Sequence, residues 1–174
     1  MRFIYLLSAV LPLAGNSLAT SDSDGTYLTA TALVTKNNNS AFECWRLTES
    51  FKRSSVPGVS GTQVATIGNF SNLAYTVLPP RYNGGLHNAP TPQLVHFISG
   101  MVHLTLPHND SVDAWLLGGV GGLLFATDIE GTGHITTYPS DQTTVAITAP
   151  FEGGRIPGHV VLAEGPCVGK QTFI

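Results

Sequence analysis

Charge is scarce in this chain. Only 11% of its 174 residues are Asp, Glu, Lys or Arg, against roughly 25% in an average globular protein, so Thr, Ser, Asn and Gly must carry its polar surface. No three Lys or Arg fall within five residues and the formal net charge is −3. The concentrated positive face that nucleic acids and anionic membranes require is therefore missing, and neither is an expected partner. Long helical periodicity is missing too. The best helical stretch, Glu43–Lys52, is short, and its Trp45 and Phe51 suit a strand equally well. No pair of carboxylates lies in an apolar setting of the kind glycoside hydrolysis uses. The glycine run Gly118–Gly122 lacks the Lys-Ser/Thr that completes a phosphate cradle and reads as a hairpin loop. In Gly58-Val59-Ser60-Gly61-Thr62, Thr62 stands where the last glycine of a nucleophile elbow would be.

The start of the chain reads as an export signal. Arg2 supplies the positive end, Phe3–Ala14 the apolar stretch, and Ser17-Leu18-Ala19 the small residues before a cut at Thr20. Residues 1–19 are thus expected to be removed, leaving one domain over residues 20–174 in the secretory lumen or outside the cell. Pro12 and the shortness of the apolar run argue against a membrane anchor. The remaining chain holds two cysteines, Cys44 and Cys167, and an oxidising compartment favours joining them. In the chain-entropy view so long a loop is worth on the order of 4–5 kcal/mol. Sequons at Asn38, Asn69 and Asn109 offer sites for N-glycosylation.

What is present in abundance is punctuation: 19 glycines and 11 prolines. From Val64 onward, short apolar or alternating runs are separated by turn signals such as Pro79-Pro80, Asn83-Gly84-Gly85, Ser99-Gly100 and Gly131-Thr132-Gly133. Strands at such spacing predict an all-β, antiparallel sandwich or barrel. Period-two alternation puts Gln93, Val95 and Phe97 on one face and Leu94, His96 and Ile98 on the other. Both faces are largely apolar, so this strand is expected to be central and covered at least partly on both sides.

Between Ser71 and Asn109 the only charged side chain is Arg81, yet four of the six histidines fall there: His87, His96, His103 and His108. A segment that avoids fixed charge but keeps imidazoles suits the lining of a cavity. His96, His103, His108 and the more distant His159 read as structural or surface residues. His87 and His134 differ in setting. His87 follows Gly84-Gly85-Leu86 and precedes Ala89, Gln93 and Gly100; His134 closes Gly131-Thr132-Gly133-His134 after the apolar run Leu123–Thr127.

This spacing resembles the two motifs of the cupin superfamily. His87 matches the first histidine of motif one, Ala89 stands at the second, Gln93 replaces the glutamate, and Gly100 matches the closing glycine. Gly122, Gly131 and His134 follow motif two, with Ile129 in place of its proline. The likeness covers roughly Val77–Ala149. It implies a cupin-like jelly roll, a barrel whose interior takes a small and mostly apolar molecule; another jelly roll or a calycin-like barrel would share the strand pattern.

The resemblance further implies that His87, Gln93 and His134 converge inside the barrel. They could hold one divalent transition metal for oxidation or isomerisation. Without a metal, the same groups could act as acid and base in an isomerisation or cyclisation. Arg81 could clamp an anionic group on the substrate or sit in a rim salt bridge. Trp45, expected in the core beside Cys44, and Phe97 are further candidate contacts for a bound molecule. Asp128 and Glu130, flanking the turn before His134, read as solvated turn residues. The alternative function is a non-catalytic, exported ligand-binding or surface-interaction protein, since Ala89 and Gln93 weaken an ordinary cupin metal site. A homodimer is an open possibility in either case.

Overall fold

The computed structural model describes residues 26–169 and Gln171; the expected signal, residues 1–19, lies outside them. The described chain is all-β, with thirteen strands and one short 3₁₀ turn, Glu152–Gly154. The strands are β1 (Tyr27–Lys36), β2 (Asn39–Ser50), β3 (Lys52–Arg53), β4 (Gln63–Val64), β5 (Ala74–Leu78), β6 (Asn83–His87) and β7 (Gln93–Ser99). They continue as β8 (Met101–Leu106), β9 (Asn109–Leu117), β10 (Leu123–Ala126), β11 (His134–Thr137), β12 (Thr144–Pro150) and β13 (His159–Glu164). Glu43–Lys52, the best helical stretch by sequence, lies almost wholly in β2. Its alternation of Glu43, Trp45 and Leu47 against Cys44 and Arg46 fits a pleated strand with β1 on one side and β13 on the other.

Two sheets dominate. The larger has seven strands in the order β13-β2-β1-β10-β7-β12-β5, and the smaller has four in the order β6-β11-β8-β9. Only the β1–β10 pairing is parallel; every other ladder is antiparallel. The sheets face each other across a buried cluster. Leu33, Phe42, Val95, Phe97 and Leu124 come from the larger sheet, and Val102, Leu104, Ala114 and Leu116 from the smaller. A second cluster covers the opposite face of the larger sheet. There Ala32, Trp45, Leu47, Leu94 and Phe125 pack under Phe151, Phe70 and Ile67, which lie outside the thirteen strands. Strand β7 is flanked by β10 and β12, and it sends Val95 and Phe97 to one cluster and Leu94 to the other. Its far end is less protected, with Ile98 at 45% exposure.

The turn signal Asn83-Gly84-Gly85 proves to be strand. Gly84 and Gly85 lie in β6, and a Cβ on Gly84 would stand 2.3 Å from the Thr136 hydroxyl across the ladder. Glycine here is a close-approach residue rather than a turn former.

Cys44 and Cys167 are bridged, across a sequence separation of 123. The bond ties the end of the chain to β2, and the Cys167 amide donates to the Thr31 hydroxyl on β1. A disulfide fits an oxidising, extracellular type of environment. Among the described residues no helix is long and apolar enough to cross a membrane. The sequon residues Asn38, Asn69 and Asn109 are all exposed.

Candidate functional site

The two sheets leave a cavity of about 160 Å³ between them, walled by β5, β7, β10 and β12 on one side and by β6, β8 and β11 on the other. His87, Gln93, His134 and Phe97 all line it, and so does Ala89. Each arrives by simple strand geometry. Gln93 opens β7 on the face that carries Val95 and Phe97 inward. His134 opens β11, and His87 closes β6 directly opposite it in the ladder. The two imidazole rings stand 4.6 Å apart, tilted by 57°.

Gly133 makes that pairing possible. Its φ is +72°, and a Cβ there would come within 2.7 Å of the His87 carbonyl oxygen. Any side chain would both strain the backbone and push β11 away from β6.

The two rings are held alike. His134 Nδ1 lies 2.7 Å from Asp128 Oδ2, and His87 Nδ1 lies 3.0 Å from the Gly85 carbonyl oxygen. A carbonyl oxygen and a carboxylate oxygen accept, so Nδ1 donates in each ring, and in the neutral imidazole the lone pair is left on Nε2. Among the described residues no group hydrogen-bonds either Nε2. The rings differ in depth: His134 is 4% exposed, whereas His87 is exposed and forms the mouth of the cavity.

Asp128 is the residue that sequence reasoning missed. It is fully buried, not a solvated turn residue. Its Oδ2 accepts from His134 and also from the Ser40 hydroxyl at 2.7 Å. Its backbone carbonyl accepts from the Asn88 side chain and the Ala89 amide. One residue thereby joins β2, β11 and the segment after His87. Its Oδ1 is buried without a hydrogen-bond partner, an uncommon and costly condition. A signal was available, because Leu124, Ala126 and Asp128 continue one period-two series and the first two face the inter-sheet core.

The same parity from His134 leads to Thr136 and Tyr138, which also line the cavity. Burial holds the Tyr138 phenol above its ordinary value of 10.0; the Thr136 hydroxyl pulls the other way and nearby Tyr82 adds to the rise. Tyr138 is therefore a neutral hydroxyl.

Two proposed substrate contacts lie elsewhere. Trp45 packs in the second cluster, on the far face of the larger sheet. Its indole N–H donates to Glu43 and its ring stacks on His159 at 3.6 Å. Arg81 sits at the surface in an ion pair with Asp141, both side chains at least 70% exposed, and does not line the cavity. It is the rim salt bridge. The remaining histidines have local structural partners or lie at the surface: His96 with the Gly119 carbonyl, His103 with Asp113, and His159 with Trp45, while His108 is exposed.

The donor set does not suit a resident metal ion. Two imidazoles and one neutral amide face the cavity, Ala89 offers no donor, and no carboxylate lines the wall. Among the described residues no three of His, Cys, Asp and Glu come together as ligands. A first-row divalent ion would find two strong donors and no anionic one. No chemical step is assigned to a metal. What the arrangement offers instead is a carboxylate-oriented imidazole with a free Nε2, a second imidazole at the mouth, and an amide and a phenol able to hydrogen-bond an oxygen.

Compared with known proteins, the chain matches no family model and no curated protein.

Proposed function

We propose that this chain is an exported, cupin-like β-barrel enzyme that moves a proton on a small, largely apolar molecule held between its sheets. The observation that carries the reading is the buried Asp128–His134 pair, with Nδ1 committed to the carboxylate and Nε2 free beside a cavity. The spacing that resembles the cupin motifs supports the barrel, and the disulfide supports export.

In this reading His134 Nε2 is the general base. It removes a proton from a carbon next to a carbonyl, and Asp128 keeps the ring oriented and stabilises the imidazolium that forms. The electron pair left on carbon moves onto the carbonyl oxygen, where the Gln93 amide N–H or the Tyr138 hydroxyl donates a hydrogen bond. Return of the same proton to a different carbon completes an isomerisation, with no oxidant or reductant consumed. His87, at the mouth, exchanges protons with solvent. General acid–base catalysis of this kind contributes about 10²–10⁴-fold.

A β,γ-unsaturated cyclohexenone tests the reading, because its conversion to the conjugated isomer needs one proton removed and one returned and is followed by ultraviolet absorbance. The wild-type protein should accelerate the conversion over the His134→Ala variant by at least tenfold. Equal rates for the two would contradict the reading and favour a non-catalytic binding protein.

A further inference from the structure

We infer that the molecule this site takes is uncharged and monocyclic, with an oxygen at the end that meets the imidazoles. The inference rests on the site proposed above but not on its catalysis. It has three parts: charge, size and direction.

Among the described residues no Asp, Glu, Lys or Arg side chain lines the cavity. The one carboxylate nearby, Asp128, is already hydrogen-bonded to Ser40 and His134, and Arg81 is paired with Asp141 outside. A carboxylate or ammonium drawn into this space would lose its hydration and meet no fixed opposite charge, a cost that neutral hydrogen bonds do not offset. Selection against charge is thus built into the wall, and it matches a segment that spans 39 residues from Ser71 to Asn109 with Arg81 as its one charge.

The volume, about 160 Å³, sets the size. An apolar protein cavity of about 150 Å³ accommodates one benzene ring, so a fused pair of rings exceeds the space here unless the sheets move apart.

Direction follows from the strands. Gln93 is the first residue of β7 and His134 the first of β11, while His87 is the last of β6. These three side chains belong to one end of the sandwich, where the Asp128 carbonyl accepts the Ala89 amide. Phe97 and Leu104 lie deeper along the same walls. A ring enters apolar edge first, and its oxygen is left facing the imidazoles and the amide.

Titration of the isotope-labelled full chain followed by amide NMR tests this, with phenol and cyclohexenone as neutral monocycles, benzoate and benzylammonium as charged ones, and naphthol as a neutral bicycle. The neutral monocycles should bind at least tenfold more tightly than the other three, with shifts at His134, Gln93 and Phe97. The variant Thr76→Phe, which fills the cavity from the edge strand β5, should lose phenol binding while keeping the wild-type spectrum elsewhere. Benzoate, benzylammonium or naphthol binding as well as phenol would overturn the inference. Absence of any shift at those three residues would overturn it as well. Cyclohexenone that binds without being converted leaves the inference standing and removes the proposed catalysis. Conversion combined with equal binding of naphthol does the reverse.

Discussion

Two histidines of the small sheet each meet an aspartate at the same separation, 2.7 Å, and the pairs lead different lives. On β11, His134 faces inward to a fully buried Asp128, with side-chain exposures of 5% and 0%. On the neighbouring strands β8 and β9, His103 and Asp113 face outward, at 23% and 50%. The outer pair uses Nε2 against the carboxylate, and its ring stacks on Trp115 at 4.0 Å. It is a cross-strand ornament of the kind that lends a sheet modest support. The inner pair uses Nδ1 and leaves Nε2 beside a cavity. Residue types and distance are shared; burial and the choice of nitrogen separate a structural pair from one that can do chemistry.

The two pairs should differ most in activity. His134→Ala should lower conversion of the unsaturated ketone by about 10²–10⁴-fold, whereas His103→Ala should leave the rate within a factor of two of wild type, both read by the same absorbance assay. Stability comes next. Asp128→Ala strands the Ser40 hydroxyl and the His134 Nδ1–H in the interior and should cost about 3 kcal/mol. Asp113→Ala should move the urea midpoint little, since its group is open to water.

Gly133→Ala should follow at about 2 kcal/mol, from its positive φ and the clash with the His87 carbonyl. The change should shift the His87 and His134 resonances and leave the Trp115 indole N–H untouched. The smallest effect is electrostatic. The hydrogen bond from His103 holds the Asp113 carboxyl below its ordinary value of 3.8; desolvation opposes this, and the Trp115 indole N–H assists it. A depressed folded pKa adds stability that is present above the unfolded value and is lost as pH falls through the folded one. Unfolding of Asp113→Asn should therefore show a shallower loss of stability below about pH 4 than wild type.

Much of this was legible from residues alone, and the reason is periodicity. Alternation put Gln93 and Phe97 on one face of a strand covered on both sides, and turn residues marked most strand ends. The pairing of Cys44 with Cys167 followed from their number and from the export expected of the chain. The failures have physical causes too. Trp45 belongs to the far face of the larger sheet, and nothing in a single strand's pattern says which of two apolar faces encloses the cavity. For Arg81 it is the salt bridge, not the anion clamp, that holds, and its partner, Asp141, is distant in sequence and meets it only in the folded chain. Asp128 was misjudged by type, since carboxylates near glycines are usually solvated; its parity with Leu124 and Ala126 carried the correct reading. Gly84 and Gly85 imitate a turn, and only the fold explains them: Thr136 approaches Gly84, and Gly85 takes a φ of +67°.

His134 holds a proton on Nδ1 against Asp128 and leaves Nε2 beside the cavity. Long-range proton–nitrogen correlation spectra of the imidazoles, recorded on the labelled full chain with and without phenol, test it directly. His134 should show a proton on Nδ1, and its Nε2 resonance should shift when phenol is added while that of His103 does not. A proton on Nε2 of His134, or a nitrogen resonance indifferent to phenol, would contradict it.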